Sequence, residues 1–173
     1  MHQPLSPPFA VGRLGEADAA AFRALRLEAL AAHPEAFGAS WEVEAEQPLA
    51  WFAERLARDA VFGGQTGDAG LAGVAAFAVP DAPKLRHKGV LWGMYVRPAS
   101  RRTGLASALL ARVLDHARGA AVEEVRLSVV ASNAAAVRLY EAAGFAAYGR
   151  ERRALRVGDA YHDELLMARR LDD

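Results

Sequence analysis

Apolar positions recur along this chain with two periods, and the switches between them mark out its segments. Phe9 to Leu14 reads as a short strand, and Asp18 stands where it can cap a helix running to about Ala32. Phe22, Leu25, Ala29 and Leu30 fall on one face of that helix, and His33-Pro34 ends it. In P-E-A-F-G-A-S-W-E-V-E-A-E-Q the pattern gives a helical turn at Glu35 to Phe37 and then an acidic connection. Pro48 suits the first turn of a second helix, to about Arg58, that would bury Leu49, Phe52 and Leu56.

The period then shortens to two. Val61 to Thr66 and Leu71 to Val79 are strand-like, and the intervening G-D-A-G predicts an antiparallel hairpin. A polar loop leads to a strand over Val90 to Arg97, in which Gly93 marks a bulge or a close approach to the backbone. A glycine-containing loop, a helix to about Arg118, a strand over Val125 to Val130 and a helix over Asn133 to Ala143 follow. Ala147 to Leu155 and Ala160 to Arg169 read as closing strands around R-V-G-D, a second hairpin. The prolines of Met1 to Pro8 predict a disordered tail, residues 1–8, ahead of one domain over residues 9–173. The predicted class is α+β, a mixed, largely antiparallel central sheet flanked by helices.

Composition narrows the chemistry. At 173 residues the chain suffices for one continuous core and is short for two. Lys+Arg and Asp+Glu are equal at 21 each, and this balance argues against nucleic acid as a partner. Without cysteine there is no disulfide, no thiolate metal site and no cysteine nucleophile. The histidines, His2, His33, His87, His116 and His162, lack ligand-type spacing, so no metal is expected. No cationic region precedes an apolar core at the N-terminus, and no run of about 18 apolar residues occurs. The expectation is a cytoplasmic protein with no membrane partner.

One stretch carries chemistry. Met94 to Ser107, M-Y-V-R-P-A-S-R-R-T-G-L-A-S, joins an apolar strand to a helix through a basic loop. Unpaired N–H groups of a first helical turn attract anions, and the helix dipole adds to that attraction. Gly104 lets the backbone come close, Arg101 and Arg102 supply cationic donors, and Thr103 and Ser107 supply hydroxyls. An isolated Arg pair is more often a solvated surface feature; the position just before a helix is what favours a phosphate. Neither G-x-x-x-x-G-K-[ST] nor G-x-G-x-x-G is present, which disfavours a nucleotide-binding protein.

A second segment, S-N-A-A-A-V-R-L-Y-E-A-A-G-F from Ser132 to Phe145, follows the strand V-R-L-S-V-V. Together the two segments resemble the Gcn5-related N-acetyltransferase (GNAT) family. Arg101-Arg102-Thr103-Gly104-Leu105-Ala106 matches its phosphate loop, Arg/Gln-x-x-Gly-x-Gly/Ala. Asn133, Tyr140, Gly144 and Phe145 match the helix after its fifth strand, so the likeness spans about the second half of the chain. The resemblance implies the GNAT fold and acetyl-CoA as co-substrate. It implies that pantetheine lies along Met94, Tyr95 and Val96, between a splayed fourth and fifth strand. The pyrophosphate would then meet Arg101, Arg102, Thr103, Gly104, Leu105, Ala106 and Ser107. Asn133 would bond the cofactor's amide region, in addition to its own tendency to cap a helix. Tyr140 would give a proton to the departing thiolate, a step open to a phenol of pKa near 10, or else pack as an ordinary helix tyrosine. A backbone N–H near Val96 would stabilise the oxyanion.

The chain departs from the family at Ser128, where some members carry a glutamate, and a serine is no comparable base. Glu42, Glu44 and Glu46 are candidates to take the amine's proton, with ordered water as the alternative and a merely solvated acidic stretch as another. Glu42, Trp92 and Ser128 are candidate substrate-binding residues; Trp41 and Trp92 suit the acceptor wall or a place in the core or its rim. Asp163-Glu164 fits either the acceptor side or an exposed turn. The resemblance points to direct acetyl transfer to a primary amine of a small molecule or peptide. The alternative is a non-catalytic CoA-binding or regulatory module, suggested by Ser128. The exposed closing strands are compatible with a homodimer.

Overall fold

The computed structural model describes residues 8–67 and 70–171. Its strands are β1 (Ala10–Arg13), β2 (Ala60–Gln65), β3 (Leu71–Ala78), β4 (Lys88–Val96), β5 (Glu124–Val130), β6 (Ala146–Val157) and β7 (Ala160–Arg170). Its helices are α1 (Ala19–Ala32), α2 (Trp41–Ala45), α3 (Leu49–Arg58), α4 (Leu105–Gly119) and α5 (Ala134–Ala142). The strands form one sheet in the order β1-β2-β3-β4-β5-β7-β6. Only β4 and β5 run parallel, and all other neighbours are antiparallel. This is the mixed, largely antiparallel α+β architecture expected.

Two apolar layers cover the sheet. Leu105, Leu109, Leu110, Val113, Leu114 and Ala117 line the inner face of α4 at helical spacing and are buried against Ala75 and Phe77 of β3 and Val125 of β5. On the other face Phe22, Leu25 and Ala29 of α1 join Phe52 and Leu56 of α3 over Val74 and Ala76. β3 is therefore buried on both sides, which explains its nearly unbroken apolar run. Gly64 is where α4 comes closest, since a Cβ there would collide with Leu105 Cδ1.

The two predicted hairpins form, with β2 on β3 and β6 on β7; Asp68 and Ala69 of the first turn lie outside the described residues. So does the expected tail of residues 1–8, apart from Pro8. Four local expectations change. Asp18 does not cap α1 through its side chain: Oδ2 accepts from Gly15 N–H at 2.8 Å, closing a 3₁₀ turn at Glu16–Asp18. Pro48 precedes α3 as its N-cap, and Leu49, at the end of the packed stripe, stays 48% exposed. β4 begins at Lys88, ahead of Val90, because Lys88 and Gly89 already pair with β5.

The largest change is in the acidic segment, which folds as the helix α2. A helix of five residues is too short to hold itself, and side-chain contacts hold this one. Glu44, only 4% exposed, accepts from Arg26 Nε and Nη2 of α1, both at 2.9 Å, and from Arg55 Nη1 of α3 at 3.2 Å. Arg55 also lies over the rings of Trp51 and Trp92, 4.5 and 4.4 Å from their centroids. The charged residues nearest Glu44 in sequence, Glu42 and Glu46, are acidic, and its basic partners come from two other helices. Removing one member of a buried ion pair leaves uncompensated charge, so Glu44→Gln should cost about 3 kcal/mol in urea unfolding. The exposed Glu42→Gln should change stability by less than about 0.5 kcal/mol, and similar losses in the two variants would contradict the assignment.

Candidate functional site

β4 and β5 pair only at Lys88↔Glu124, Gly89↔Val125 and Val90↔Arg126. Beyond Val90 the strands part, and β5 continues paired to β7 alone as far as Val130. The parting coincides with a bulge: Gly93 has φ +65°, and the register of β4 on β3 shifts between Val74 and Ala76. The backbone of Leu91 to Val96 thus has no strand partner on its β5 side.

A cavity of about 660 Å³ occupies this region. Met94, Tyr95 and Val96 line one side; Val130, Ser132, Asn133, Ala136 and Leu139 line the other. The end of β4 is tied to α1, where Glu28 accepts from Tyr95 Oη at 3.0 Å and pairs with Arg97 at 2.9 Å.

The loop before α4 forms the cavity's basic end. Arg102 has φ +62° and Gly104, the N-cap of α4, has φ +89°, left-handed conformations of the kind from which backbone N–H concavities are built. Nothing lies within 4 Å of a Cβ built on Gly104, so backbone conformation and not crowding calls for glycine there. Arg101, Arg102, Gly104, Ala106 and Ser107 line the cavity. Arg101 braces the loop, donating from Nε to Val96 O at 3.0 Å, with Nη2 3.3 Å from His33 Nε2. Thr103 and Leu105 are not among the lining residues. Thr103 Oγ1 donates to Ser100 O at 2.7 Å and accepts from Leu105 N–H at 3.4 Å, while the Leu105 side chain is buried in the core.

On the opposite side Asn133 caps α5, Oδ1 accepting from Ala136 N–H at 3.2 Å, which leaves its amide nitrogen as the group a ligand would meet. Tyr140 lies further along α5, buried edge-on to Phe145 with ring centroids 5.9 Å apart, and is not among the lining residues. Burial pushes its phenol up to about 12.

The candidate acceptor residues are scattered. Ser128 is exposed on β5 opposite Leu166 of β7 and lines neither large cavity. Trp92 is half-buried beneath Arg26 and Arg55, within the ion cluster. Glu44 belongs to that cluster, and Glu46 is exposed. Glu42 and Trp41 line a second cavity of about 620 Å³ between the α1–α2 segment and the β6–β7 turn. Asp163 binds Arg150 and accepts from Arg153 N–H at 2.9 Å, fastening an irregular stretch of β6 where Arg153 has φ +53°. Sequence reasoning missed the segment after α1, whose His33, Glu35, Ala36 and Phe37 line the first cavity. The helix stop at His33-Pro34 followed by an isolated apolar Phe37 was the available signal. Among the described residues no cluster of three or more His, Asp or Glu is placed to hold a metal, and no helix is long and apolar enough to cross a membrane.

Comparison with known proteins agrees with this geometry. Residues 24–145 match the model of the acetyltransferase (GNAT) family. The chain is 35% identical over 95 residues to the ribosomal protein bS18-alanine N-acetyltransferase of Escherichia coli K12, covering 55% of this chain and 63% of that protein. It is 34% identical over 134 residues to mycothiol acetyltransferase of Beutenbergia cavernae, covering 75% of this chain and 42% of that one. The matches thus span less than two thirds of either relative. Among solved structures, YncA of Salmonella typhimurium with its cofactor acetyl-CoA superposes with a TM-score of 0.83 at 24% identity, covering 95% of both chains, a likeness of fold alone. The Escherichia coli ribosomal-protein-S18-alanine N-acetyltransferase follows at TM-score 0.71 and 25% identity, over 94% of each chain. The matched residues include the loop before α4, the capped α5 and the parted strands β4 and β5, and this chain belongs to the GNAT family of acetyltransferases.

Proposed function

We propose that the protein is an acetyl-CoA-dependent N-acetyltransferase that passes the acetyl group directly to a primary amine of a small molecule or peptide. The observation that carries this reading is one continuous cavity running from the anion-binding loop along the unpaired edge of β4. Its chemistry fits the co-substrate: N–H groups and Arg102 for phosphates, a strand edge for the pantetheine amides, and apolar walls at Met94 and Leu139 for the arm. When bound, acetyl-CoA supplies the thioester; the neutral amine forms a C–N bond as the C–S bond breaks, the nitrogen gives up one proton, and the departing thiolate takes up one to leave CoA as a thiol. Asn133 offers its amide to orient the arm, and Phe37 and Leu139 exclude water. Tyr140 holds a proton on its phenol oxygen at any physiological pH, since its raised pKa extends the protonated form upward.

The names of the relatives, one for an alanine of a ribosomal protein and one for mycothiol, support an acceptor amine without selecting a class. A single domain over residues 9–173 and a cytoplasmic location accompany this reading. One observation favours a second reading, a CoA-binding module without turnover: Ser128 and Tyr140 both lie outside the lining of the cavity.

Acetyl-CoA consumption against a broad amine panel separates the two readings, since CoA binding with no turnover on any amine selects the module. Tyr140→Phe should lower kcat about 100-fold with little change in KM for acetyl-CoA. The wild-type kcat profile should show no descending limb from Tyr140 between about pH 7 and about pH 10, because a raised phenol pKa keeps the donor protonated there. An unchanged kcat in Tyr140→Phe would remove the residue from the chemistry. Arg102 is exposed and makes no hydrogen bond or ion pair among the described residues, so Arg102→Ala should weaken CoA about tenfold in calorimetry. The salt dependence of binding should flatten with it, and equal affinity would clear Arg102 of a phosphate role.

A further inference from the structure

Phe37 lines both large cavities, the one along β4 and the one beside the β6–β7 turn. The segment that carries it runs the length of the first cavity. At one end His33 approaches Arg101 of the phosphate loop, with Nε2 3.3 Å from Nη2. At the other, the Phe37 ring lies against Arg26, whose Cζ is 5.5 Å from the ring centroid. Arg26 in turn lies 5.5 Å from the Trp92 ring centroid, and its Nη1 is 3.5 Å from a Cβ built on Gly93. Trp92 and Gly93 precede Met94 to Val96 on β4, so Phe37 stands at the end of the cavity away from the phosphate loop. With phosphates at the loop, that end receives the acyl group.

The ring is held in place. Pro34 starts a 3₁₀ turn, Pro34–Ala36, and Phe37 follows in extended conformation at φ −133°. Its platform, Arg26, is clamped through two hydrogen bonds of 2.9 Å to the buried Glu44. A guanidinium fixed by a bidentate carboxylate is a rigid floor for an aromatic ring. We propose that Phe37 is a specificity-determining residue: its ring closes the acyl end of the cofactor cavity against the second cavity and restricts the donor to short acyl chains. The proposal rests on the acetyl-CoA reading above. A walled apolar pocket discriminates additional methylenes when the wall cannot retreat, and the ion pair behind Arg26 prevents retreat. Shortening the side chain joins the two cavities and gives a longer chain a place to run.

The test is calorimetric titration of the full chain with CoA, acetyl-CoA and octanoyl-CoA, for wild type, Phe37→Ala and Phe37→Leu. Wild type should bind octanoyl-CoA ~10-fold or more weakly than acetyl-CoA. Phe37→Ala should bring the two affinities together and Phe37→Leu should fall between, each affinity being read relative to the same variant's affinity for free CoA. Phe37 is only half-buried, so the variants should melt near wild type; if Phe37→Ala does not fold, the Phe37→Leu ratio decides. An acetyl-to-octanoyl ratio independent of residue 37, or a wild type without the preference, overturns the proposal while leaving the cofactor reading intact. Failure of wild type to bind CoA at all overturns both.

Discussion

The site depends on a pairing that stops. Sheets are stable because each strand satisfies the backbone of the next, and β4 and β5 abandon that arrangement after Val90. Each strand remains anchored on its other side, β4 by β3 and β5 by β7, so the opening does not unravel the sheet. The bulge at Gly93 supplies the change of direction, and α4 and α5, which begin just past the ends of the two strands, occupy the space beyond. What results is a slot whose strand edge still has hydrogen-bonding groups to offer and whose far end meets the N–H groups of a helix. A long, thin molecule with amides in its middle and phosphates at one end is the shape that such a slot accommodates.

Around this slot the molecule divides its labour between the two faces of the sheet. The α4 face is an apolar core, with Leu109, Leu110 and Val113 against β3, and it fixes where the loop before α4 sits. The α1 face mixes apolar packing with a buried charge cluster, and it is this cluster that controls the wall of the slot. Buried ion pairs are seldom a large source of stability compared with a well-packed apolar alternative. What Arg26, Glu44 and Arg55 supply is direction, since the bidentate Arg26–Glu44 pair and the Arg55–Glu44 bond hold α1, α2 and α3 in one relation that apolar contacts alone leave less defined.

The legible parts of the sequence were those whose causes are local. Hairpins announced themselves in their turns, α4 in its repeating leucines, the sharp entry to α4 in Gly104, and the α5 cap in Asn133. Glu44 was illegible because its partners, Arg26 and Arg55, lie on separate helices, and nothing in W-E-V-E-A-E distinguishes the one buried glutamate from its exposed neighbours. Leu49 failed for the opposite reason: it has the right residue type and spacing but falls where the packed stripe has ended. Motif positions carried their own limit. Leu105 and Thr103 stand inside the loop pattern, yet one is turned into the core and the other is spent on holding the loop, because a motif specifies backbone shape as much as contact. Tyr140 likewise occupies its motif position while its ring rests in the core.

Gly64 lies in β2, far along the sheet from the parted strands, and it is the absence of a side chain there that lets Leu105 seat the first turn of α4. A methyl group at this position would collide with the Leu105 side chain, which would have to leave the place it now fills at the start of α4. Tolerance to substitution near α4 is therefore set in part by a residue outside the slot's lining, and a survey of variants that looked only around the slot would overlook it.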